Sequence, residues 1–587
     1  MIDTVTESSV DPVATRRAAL MRLATGLIQG LLLYGLYEAS EAKVWPATHK
    51  ELFSALFAVA FFAPFVVLAG VSNLRLPTLA VWKAVAALIA GGLAWYAAWS
   101  VGGDAQSGPP GGAVVPAIAA LVFIGHHLVE PADNERRWIA RFANYFDITW
   151  KHGVQLVLAL GFTGAFWILL FLASALFKLI GISAIEKLIQ QELFSIPATT
   201  VMFAAAVQLT DVRATLVRGV RTVALALLAW LLPLMALIAG GFLLTLPFTG
   251  LAPLWATKSA TALLLVAAAL LVLLTNAAYQ DGSDKPPLVL AWAARITGLL
   301  LAPIVGLAAY GLALRIGQYG LSPDRVIAAA CVLVAAGYAI GYAVAAARPG
   351  PWMKTLETTN IAMAFVVVAV LLALFTPLAD PRRLSVNDQV ARLERGKVKA
   401  EAFDFAFLRF DAGRAGQAAL QRLKASKSPE IAKQAREAIE SKIRPEPDLV
   451  GQLEKVVVYP KGRALPADLL KQGADESRFL CGYSPENCAA VLLDTDGDGV
   501  EEVLLSNGGV VDVLKRGGDG AWSKVGVATR PCDQGDLVEA FKTGKASLSD
   551  PEQRRDLLVG GLRLRISPAG KACPTPDGDK VQAKNRP

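Results

Sequence analysis

The chain contains 587 residues, of which 54% are hydrophobic and only 18% are charged, whereas soluble domains average about 45–50% and about 25%. The apolar excess is confined to residues 20–378, which excludes a wholly soluble protein and makes lipid the expected solvent of that region. The net charge of +8 is divided among short loops. No basic stripe alternates with aromatic residues, so nucleic-acid binding is not expected.

Residues 20–378 contain eleven apolar segments that approach or exceed the length an α-helix needs to cross a bilayer, about 20 residues. Lipid cannot satisfy backbone polar groups, so these segments are predicted to be helices rather than strands. The predicted spans are 20–38, 52–70, 78–100, 113–130, 154–180, 196–211, 220–246, 259–278, 287–313, 326–346 and 361–378.

The distribution of Lys and Arg predicts how the chain is oriented. If residues 1–19 form a cytoplasmic tail, the inner loops hold about fourteen basic residues and the outer loops about seven, as the positive-inside rule requires. An odd number of spans then places the C-terminal domain in the periplasm of a bacterial inner membrane. An even number would leave it in the cytoplasm.

Residues 379–587 have an ordinary soluble composition and divide into two predicted parts. Residues 379–445 are expected to be helical, and Ser385 with Asp388 resembles a capping box near the start. Residues 446–587 change to a two-residue periodicity, which predicts a small antiparallel β unit. Its expected strands are Lys455–Tyr459, Ala489–Leu493, Glu502–Leu505, Val510–Leu514 and Leu562–Ile566.

These patterns define the predicted fold class. It is mainly α, a polytopic α-helical membrane bundle of about eleven spans over residues 20–378, followed by a soluble α+β domain with the small antiparallel β unit.

Four of the five cysteines lie in the β-rich domain, namely Cys481, Cys488, Cys532 and Cys573. Disulfides persist in the periplasm and are rare in the cytosol, and they would stabilise a domain whose core is small. Four cysteines allow three pairings. The favoured pairing joins Cys481 to Cys488 and Cys532 to Cys573. The alternative is four free thiols in a cytosolic domain.

An acidic loop at residues 494–502 has the spacing of a cation-binding turn. Its carboxylates at positions 1, 3, 5 and 9, with a backbone carbonyl at position 7, could converge on one hard cation. The candidate ligands are Asp494, Asp496, Asp498, Val500 and Glu502. The string resembles the loop of FG-GAP and integrin-type β-repeats, which implies Ca²⁺ between two strands. The alternative is an acidic hairpin turn that needs no metal.

Ionisable residues inside predicted spans are candidates for function because charge is costly at bilayer depth. Arg295 lies within the span 287–313 and could either meet a buried partner or extend its side chain to the interface. His126 and His127 are adjacent and precede Glu130, and His152 lies just before the next predicted span, 154–180. Adjacent positions on a helix point about 100° apart, so packing is favoured over a metal or proton site.

The sequence contains none of the motifs that would mark a familiar catalytic centre. It has no G-x-S-x-G elbow, phosphate-binding Walker loop, H-E-x-x-H or Cys-x-x-Cys string. No catalytic residue is assigned, and an enzyme is not the favoured class of protein.

Several strings resemble bacterial membrane proteins grouped as domain of unknown function 4153. The most specific are residues 276–282, N-A-A-Y-Q-D-G, and residues 315–325, R-I-G-Q-Y-G-L-S-P-D-R. The resemblance covers about residues 20–378 and continues through Leu384–Asp411. It implies a multi-pass membrane protein and carries no activity. For both strings, a turn role is favoured over a ligand or ion site.

The sequence therefore predicts an uncharacterised inner-membrane protein that contacts the bilayer and has a binding or scaffold role in the cell envelope. An envelope protein or the cell wall is the expected partner, and Ca²⁺ the expected cofactor of the exported domain. A transporter or lipid-handling protein is the first alternative, and a membrane-embedded enzyme the second.

Overall fold

The computed structural model of the chain forms two compact units, Met1–Ser441 and Lys442–Pro587. The structure describes residues 12–102, 111–257, 259–283, 285–348, 352–441, 456–460, 462–473, 488–506, 510–518, 520–529, 537–543, 546, 548, 557–559 and 562–564.

The first unit is a bundle of α-helices. Its helices are α1 (Pro12–Glu41), α2 (Lys50–Gly70), α3 (Leu76–Val101), α4 (Val114–Glu135), α5 (Phe142–Leu179), α6 (Ala184–Ile189), α7 (Glu192–Val212), α8 (Ala214–Thr249), α9 (Ala252–Ala256), α10 (Ala260–Tyr279), α11 (Leu288–Tyr319), α12 (Pro323–Ala347), α13 (Thr355–Leu374), α14 (Pro381–Glu394), α15 (Gly413–Lys424) and α16 (Pro429–Glu440). A 3₁₀ turn (Ala400–Ala402) and a π-helical turn (Phe407–Asp411) lie between α14 and α15.

Eleven of the described helices are long and apolar enough to cross a membrane. They are α1 to α5, α7, α8 and α10 to α13. Each coincides with one predicted span, because a sustained apolar run is both the condition for lipid solvation and the signal in the sequence. The predicted bundle, followed by a domain that contains a small sheet, is confirmed.

The bundle has two main hydrophobic cores, and α4 and α5 connect them. One core is built by α8, α10, α11 and α12 and includes Phe142 and Phe146 of α5. The other is built by α2, α3 and α4 and includes Ile118 and Leu121. The α4–α5 hairpin therefore runs from one core to the other, and it carries the site described below.

Helices α1 and α7 pack closely through two glycines that are one helical turn apart. A Cβ added at Gly26 would lie 2.8 Å from the Ala204 Cβ, and one added at Gly30 would overlap Pro197 and Thr200. Small residues at this spacing let membrane helices approach each other closely, where packing rather than the hydrophobic effect holds them together.

The string at residues 315–325 spans the end of α11, the turn at residues 320–322 and the start of α12. Gly320 has φ of +76°, a conformation that favours glycine. The Leu321 N–H donates to Asp388 of α14 at 2.7 Å, and the Gln389 side-chain amide donates to the carbonyls of Tyr319 and Leu321 at 2.9 Å each. Helix α14 therefore fixes this turn, in agreement with the favoured turn role.

The predicted capping box of α14 is wrong. The helix begins at Pro381, four residues before Ser385, and Asp380 is its N-cap, with a carboxylate that accepts from Arg382 N at 2.8 Å. Proline at the first helical position and aspartate before it are a standard helix start. Asp388 instead contacts the α11–α12 turn.

The string at residues 276–282 ends α10 and ties three spans together. Asn276 Nδ2 donates to the Tyr342 hydroxyl at 2.7 Å, that hydroxyl donates to Asn360 Oδ1 at 2.9 Å, and Asn360 Nδ2 donates to Asn276 Oδ1 at 2.6 Å. The three side chains form a closed ring of hydrogen bonds between α10, α12 and α13. Such a ring satisfies polar groups that lipid could not.

The second unit contains a five-stranded sheet in the order β1-β2-β3-β4-β5. The strands are β1 (Val457–Tyr459), β2 (Ala489–Leu493), β3 (Glu502–Ser506), β4 (Val510–Arg516) and β5 (Trp522–Thr529). A separate pair is formed by β6 (Leu557–Val559) and β7 (Leu562–Leu564). Two short helices, Ala467–Gly473 and Leu537–Lys542, belong to the same unit.

The prediction of a wholly antiparallel unit is wrong for one pair of strands. β1 pairs with β2 in parallel, while β2 to β5 pair antiparallel. Short turns join antiparallel neighbours, whereas a parallel pair needs a long crossover, and the helix Ala467–Gly473 lies in the connection between β1 and β2. Strand β5 was not predicted, because Gly526 and Ser523 dilute its apolar alternation.

We expect Gly30→Ala to lower the temperature at which the full-length protein unfolds in detergent. The added methyl group would overlap α7, and overpacking of this kind costs about 1–3 kcal/mol. Gly35→Ala is the matched control, because a Cβ added there has no atom within 4 Å and alanine is the better helix former. Equal unfolding temperatures for the two variants would contradict this account of the α1–α7 contact.

Candidate functional site

The α4–α5 hairpin brings together four polar residues of the membrane bundle. The connection after α4 is short, and Glu135 fixes the start of α5 by accepting from Arg141 N and from the Asn144 side chain. Antiparallel helices joined in this way place residues at similar distances from the turn opposite each other. His126, His127 and Glu130 of α4 thus meet His152 of α5, and we call these four the histidine–glutamate cluster.

All four side chains of the histidine–glutamate cluster are buried. His126 Nε2 lies 2.9 Å from Glu130 Oε2, one turn further along α4, and His152 Nε2 lies 3.9 Å from the same oxygen. Ligand atoms of His126, Glu130 and His152 all lie within 4.8 Å of one another. Within the described part of the chain, neither nitrogen of His126 nor Glu130 Oε2 makes a hydrogen bond of good geometry.

A chain of hydrogen bonds fixes the proton positions on two of the imidazoles. His127 Nδ1 lies 2.6 Å from the Phe123 carbonyl, which can only accept, so Nδ1 carries the proton. In the neutral imidazole His127 Nε2 is then an acceptor, and it lies 3.1 Å from His152 Nδ1. His152 therefore carries its proton on Nδ1 and presents the lone pair of Nε2 toward Glu130.

An apolar cavity of about 270 Å³ opens beside the histidine–glutamate cluster. Its walls are phenylalanine and aliphatic side chains of α2, α4, α5 and α7, and His126, His127 and His152 lie in its lining. A second cavity of about 260 Å³ is lined by His127 and by Asn276 and Asn360 of the hydrogen-bonded ring. His127 therefore faces both cavities.

A buried ion network joins α1, α5 and α7 in the same part of the bundle. Arg22, 1% exposed, donates to Asp211 Oδ2 at 2.8 Å, to Gln208 Oε1 at 2.5 Å and to the Leu68 carbonyl at 2.9 Å. Lys151 lies 3.2 Å from the other Asp211 oxygen. Two cations thus share one carboxylate, and each of the three guanidinium nitrogens of Arg22 donates a hydrogen bond.

Arg295, the predicted intramembrane candidate, is not part of either arrangement. It is half-buried on α11, and it lines neither of the two cavities described above. Its role therefore stays a prediction.

The acidic loop lies between β2 and β3 of the second unit. Carboxylate oxygens of Asp494, Asp496, Asp498 and Glu502 lie within 4.8 Å of one another. Both oxygens of Asp494 accept backbone N–H groups of the loop, from Gly497 at 2.7 Å and Gly499 at 2.9 Å. Both glycines have positive φ, which allows the tight turn.

The Lys515 ammonium of β4 lies among three of these carboxylates. It contacts Asp496 and Asp498 and is 3.3 Å from Glu502 Oε1. Hydrogen bonds to Asp496 and Asp498 raise the pKa of Lys515 well above its usual value, and the bond from Lys515 lowers the pKa of Asp498. The loop therefore has an internal cation as its counter-charge.

The carboxylate set nevertheless fits a hard cation such as Ca²⁺, which takes oxygen ligands and is bound by several carboxylates. A calcium ion at this position would have to displace the Lys515 ammonium. The Val500 N–H donates to Asp498 at 2.8 Å, and the predicted ligand role of the Val500 carbonyl stays a prediction.

Among the predicted disulfide cysteines, Cys488 is buried in the core of the sheet beside Ala490 and Leu492. Cys481, Cys532 and Cys573 lie outside the described residues, so the pairing stays a prediction. Cys331 of the membrane bundle is a free thiol.

Three residues of these sites were not identified from the sequence. In the sequence, Arg22 and Lys151 contribute only to the basic charge that predicts orientation, and Lys515 has no predicted role. For Arg22 a signal existed, because it lies inside the predicted span 20–38. For Lys515 the signal was the hairpin register, since the preceding Leu514 pairs with Val503 beside Glu502.

The fold and its buried polar groups define a multi-pass membrane protein with a small mixed-sheet unit at its C-terminal end. Residues 52–423 match the family described as Domain of unknown function (DUF4153). The match covers more than half of the chain, so the chain belongs to this family, and the family resemblance is confirmed. No curated protein and no solved structure matches significantly.

The family match has different consequences for the two candidate sites. The histidine–glutamate cluster lies inside the matched residues 52–423, and the acidic loop lies beyond them. The FG-GAP-type resemblance of the loop therefore stays a prediction.

We expect Arg22→Met to destabilise the full-length protein in detergent by about 3–5 kcal/mol, because removing one partner of a buried pair leaves its polar neighbours unsatisfied. Arg17→Met on the exposed side of α1 is the matched control and should change little. Thermal unfolding measures both. In the double variant Arg22→Met with Asp211→Asn, the loss of stability should be smaller than the sum of the losses in the two single variants. Full additivity would argue against a direct pair.

Proposed function

We propose that the protein is an integral inner-membrane protein of a bacterial cell envelope whose C-terminal unit lies in the periplasm and binds an envelope protein or the cell wall. The observation that carries this proposal is the succession of eleven candidate spans and a separate compact unit. An odd number of crossings puts the two chain ends on opposite sides, and the Lys and Arg bias favours a cytoplasmic N-terminus.

Two ion pairs join the ends of different helices. Arg75 donates to Asp133 at 2.7 Å and Arg221 to Asp147 at 2.8 Å, and both pairs lie at the helix ends that the proposal assigns to the cytoplasm. Each aspartate neutralises one arginine and leaves the other basic residues of these loops charged. Lys and Arg still outnumber these two aspartates in the same loops, so that side keeps its positive character.

The acidic loop supports a Ca²⁺-stabilised binding unit. Its four carboxylates already converge, and extracellular compartments supply the calcium concentrations that weak sites of this kind need. Lys515 would act as the competing cation. When Ca²⁺ is scarce, its ammonium keeps the carboxylates from repelling one another.

The alternatives keep one observation in their favour. An apolar cavity that reaches buried histidines inside the bundle suits a membrane-embedded enzyme or a lipid-handling protein better than a scaffold. For a transporter, a polar cavity at Arg295 would be the stronger support, and Arg295 lines neither described cavity.

A topology experiment tests the proposal. A reporter that is active only in the periplasm should be active when fused after Pro587 or after Leu321, in the α11–α12 turn. It should be inactive after Gly282, between α10 and α11. Activity of a cytosol-specific reporter after Pro587 would overturn the proposed layout, and the two loop fusions control for local effects of the insertion.

Hydrogen exchange on the full-length protein tests the calcium site. We expect Ca²⁺ to slow exchange in peptides that cover β2 and β3. Asp496→Ala should abolish this response, and Lys515→Met should enlarge it because the competing ammonium is gone. Arg516→Met is the matched control, since Arg516 pairs with Asp468 at 2.9 Å rather than with the loop. Identical wild-type exchange with Ca²⁺ or chelator would remove calcium from the proposal.

A further inference from the structure

The histidine–glutamate cluster has the composition of a transition-metal site, and nothing in the proposed function uses it. We propose that His126, Glu130 and His152 bind one divalent transition-metal ion inside the membrane bundle, with Zn²⁺ as the metal used for the test. His127 is a positioning residue for His152. This proposal goes beyond the proposed envelope role and is independent of it.

The donor set decides the class of metal. Two imidazole nitrogens and one carboxylate oxygen suit zinc and its first-row neighbours, whereas calcium and magnesium prefer oxygen ligands alone. Zinc sites with three protein ligands of the type His₂Glu keep a fourth position for water or another ligand. The cluster therefore differs in chemistry from the acidic loop, which offers oxygen atoms only.

The distances agree with a common metal ion. Two donors that each lie about 2.1 Å from a tetrahedral zinc ion are about 3.4 Å apart. The separations from Glu130 Oε2 are 2.9 Å to His126 Nε2 and 3.9 Å to His152 Nε2, on either side of that value. Side-chain shifts of a few tenths of an ångström would equalise them.

The hydrogen bonds behind the cluster orient one of the ligands. Metal-binding histidines donate their second ring N–H to a neighbouring acceptor, which fixes the tautomer. His152 meets this condition, because its Nδ1–H donates to His127 and leaves Nε2 free to bind. His127 donates in turn to the Phe123 carbonyl, so two successive hydrogen bonds hold the ring of His152 in place.

Burial supplies an independent observation that points to a ligand. His126 and Glu130 are 4% and 2% exposed, and within the described residues their facing atoms lack well-formed hydrogen bonds. Buried polar groups without partners are costly, and lipid offers none. A metal ion would satisfy Nε2 of His126 and Oε2 of Glu130 together with Nε2 of His152.

The surroundings define what the fourth coordination position would meet. The cavity beside the cluster is lined mainly by phenylalanine and aliphatic side chains. Water, or the polar end of a lipophilic molecule, is the ligand that such a position would accept. The nearby cations Arg22 and Lys151 are both paired with Asp211, which offsets much of their repulsion of a metal ion.

Metal titration of the full-length protein in detergent tests the proposal. After treatment with a chelator, the wild type should bind one Zn²⁺ ion per chain tightly, measured against a competing chelator dye. His152→Gln and Glu130→Gln should each weaken that binding at least about 100-fold, because each removes one of three ligands. His49→Gln is the matched control, since His49 is exposed and is the remaining histidine of the chain.

The positioning role of His127 has its own signature. His127→Gln should weaken Zn²⁺ binding by about 10–100-fold, the usual effect of losing an outer partner of a ligand. With Co²⁺ in place of Zn²⁺, the visible absorption of a four-coordinate site should persist in this variant. It should be lost in His152→Gln.

Two outcomes would overturn the proposal. One is wild-type Zn²⁺ binding that is no tighter than in the triple variant His126→Gln, Glu130→Gln and His152→Gln. The other is binding that is lost in Asp494→Asn with Asp498→Asn, which would place the ion on the acidic loop. If a membrane variant does not fold, the wild-type Co²⁺ spectrum decides, since an oxygen-only, six-coordinate spectrum contradicts imidazole ligands.

Discussion

The inability of lipid to form hydrogen bonds is the constraint on which the membrane bundle depends. A polar group at bilayer depth that finds no partner within the chain is costly. Arg22 therefore meets Asp211 across two helices, and Asn276, Tyr342 and Asn360 close a ring among three. These contacts fix which helices are neighbours and how each is rotated, because apolar packing against lipid and against protein differs little in free energy.

The histidine–glutamate cluster stands out against this background. Within the described residues, no buried polar side-chain atom of the other two networks lacks a hydrogen-bond partner, whereas His126 and Glu130 meet at 2.9 Å without a good hydrogen bond. Only the His127–His152 half of the cluster is well satisfied. One half is thus held in place and the other is left with unused bonding capacity, as expected where ligands are preorganised for a guest.

The sequence predicts the helices and strands well and the contacts between their side chains poorly, for a physical reason. The spans follow from length and hydropathy, which are local quantities. The contact between His152 and Glu130 depends on how α5 is rotated against α4. The contact between His126 and Glu130 follows from their four-residue spacing, which places both on one face of α4, whereas the adjacent His127 points elsewhere. The insertion of Lys515 into the acidic loop depends likewise on strand register, and the parallel β1–β2 pair on a crossover.

The two candidate sites also differ in their access to solvent, and this makes their chemistry independent. In the acidic loop a lysine from the next strand neutralises carboxylates that remain partly exposed, with side chains 52% and 42% exposed at Asp496 and Asp498. Water and mobile ions can take the place of that lysine, so a metal there would only adjust stability. In the bundle the three proposed ligand residues are buried, and they lie inside the residues that match the family. Water cannot freely replace a ligand there. A metal at that depth would satisfy buried polar groups for which lipid offers no partner, whereas a metal in the loop would replace a counter-charge that Lys515 already supplies.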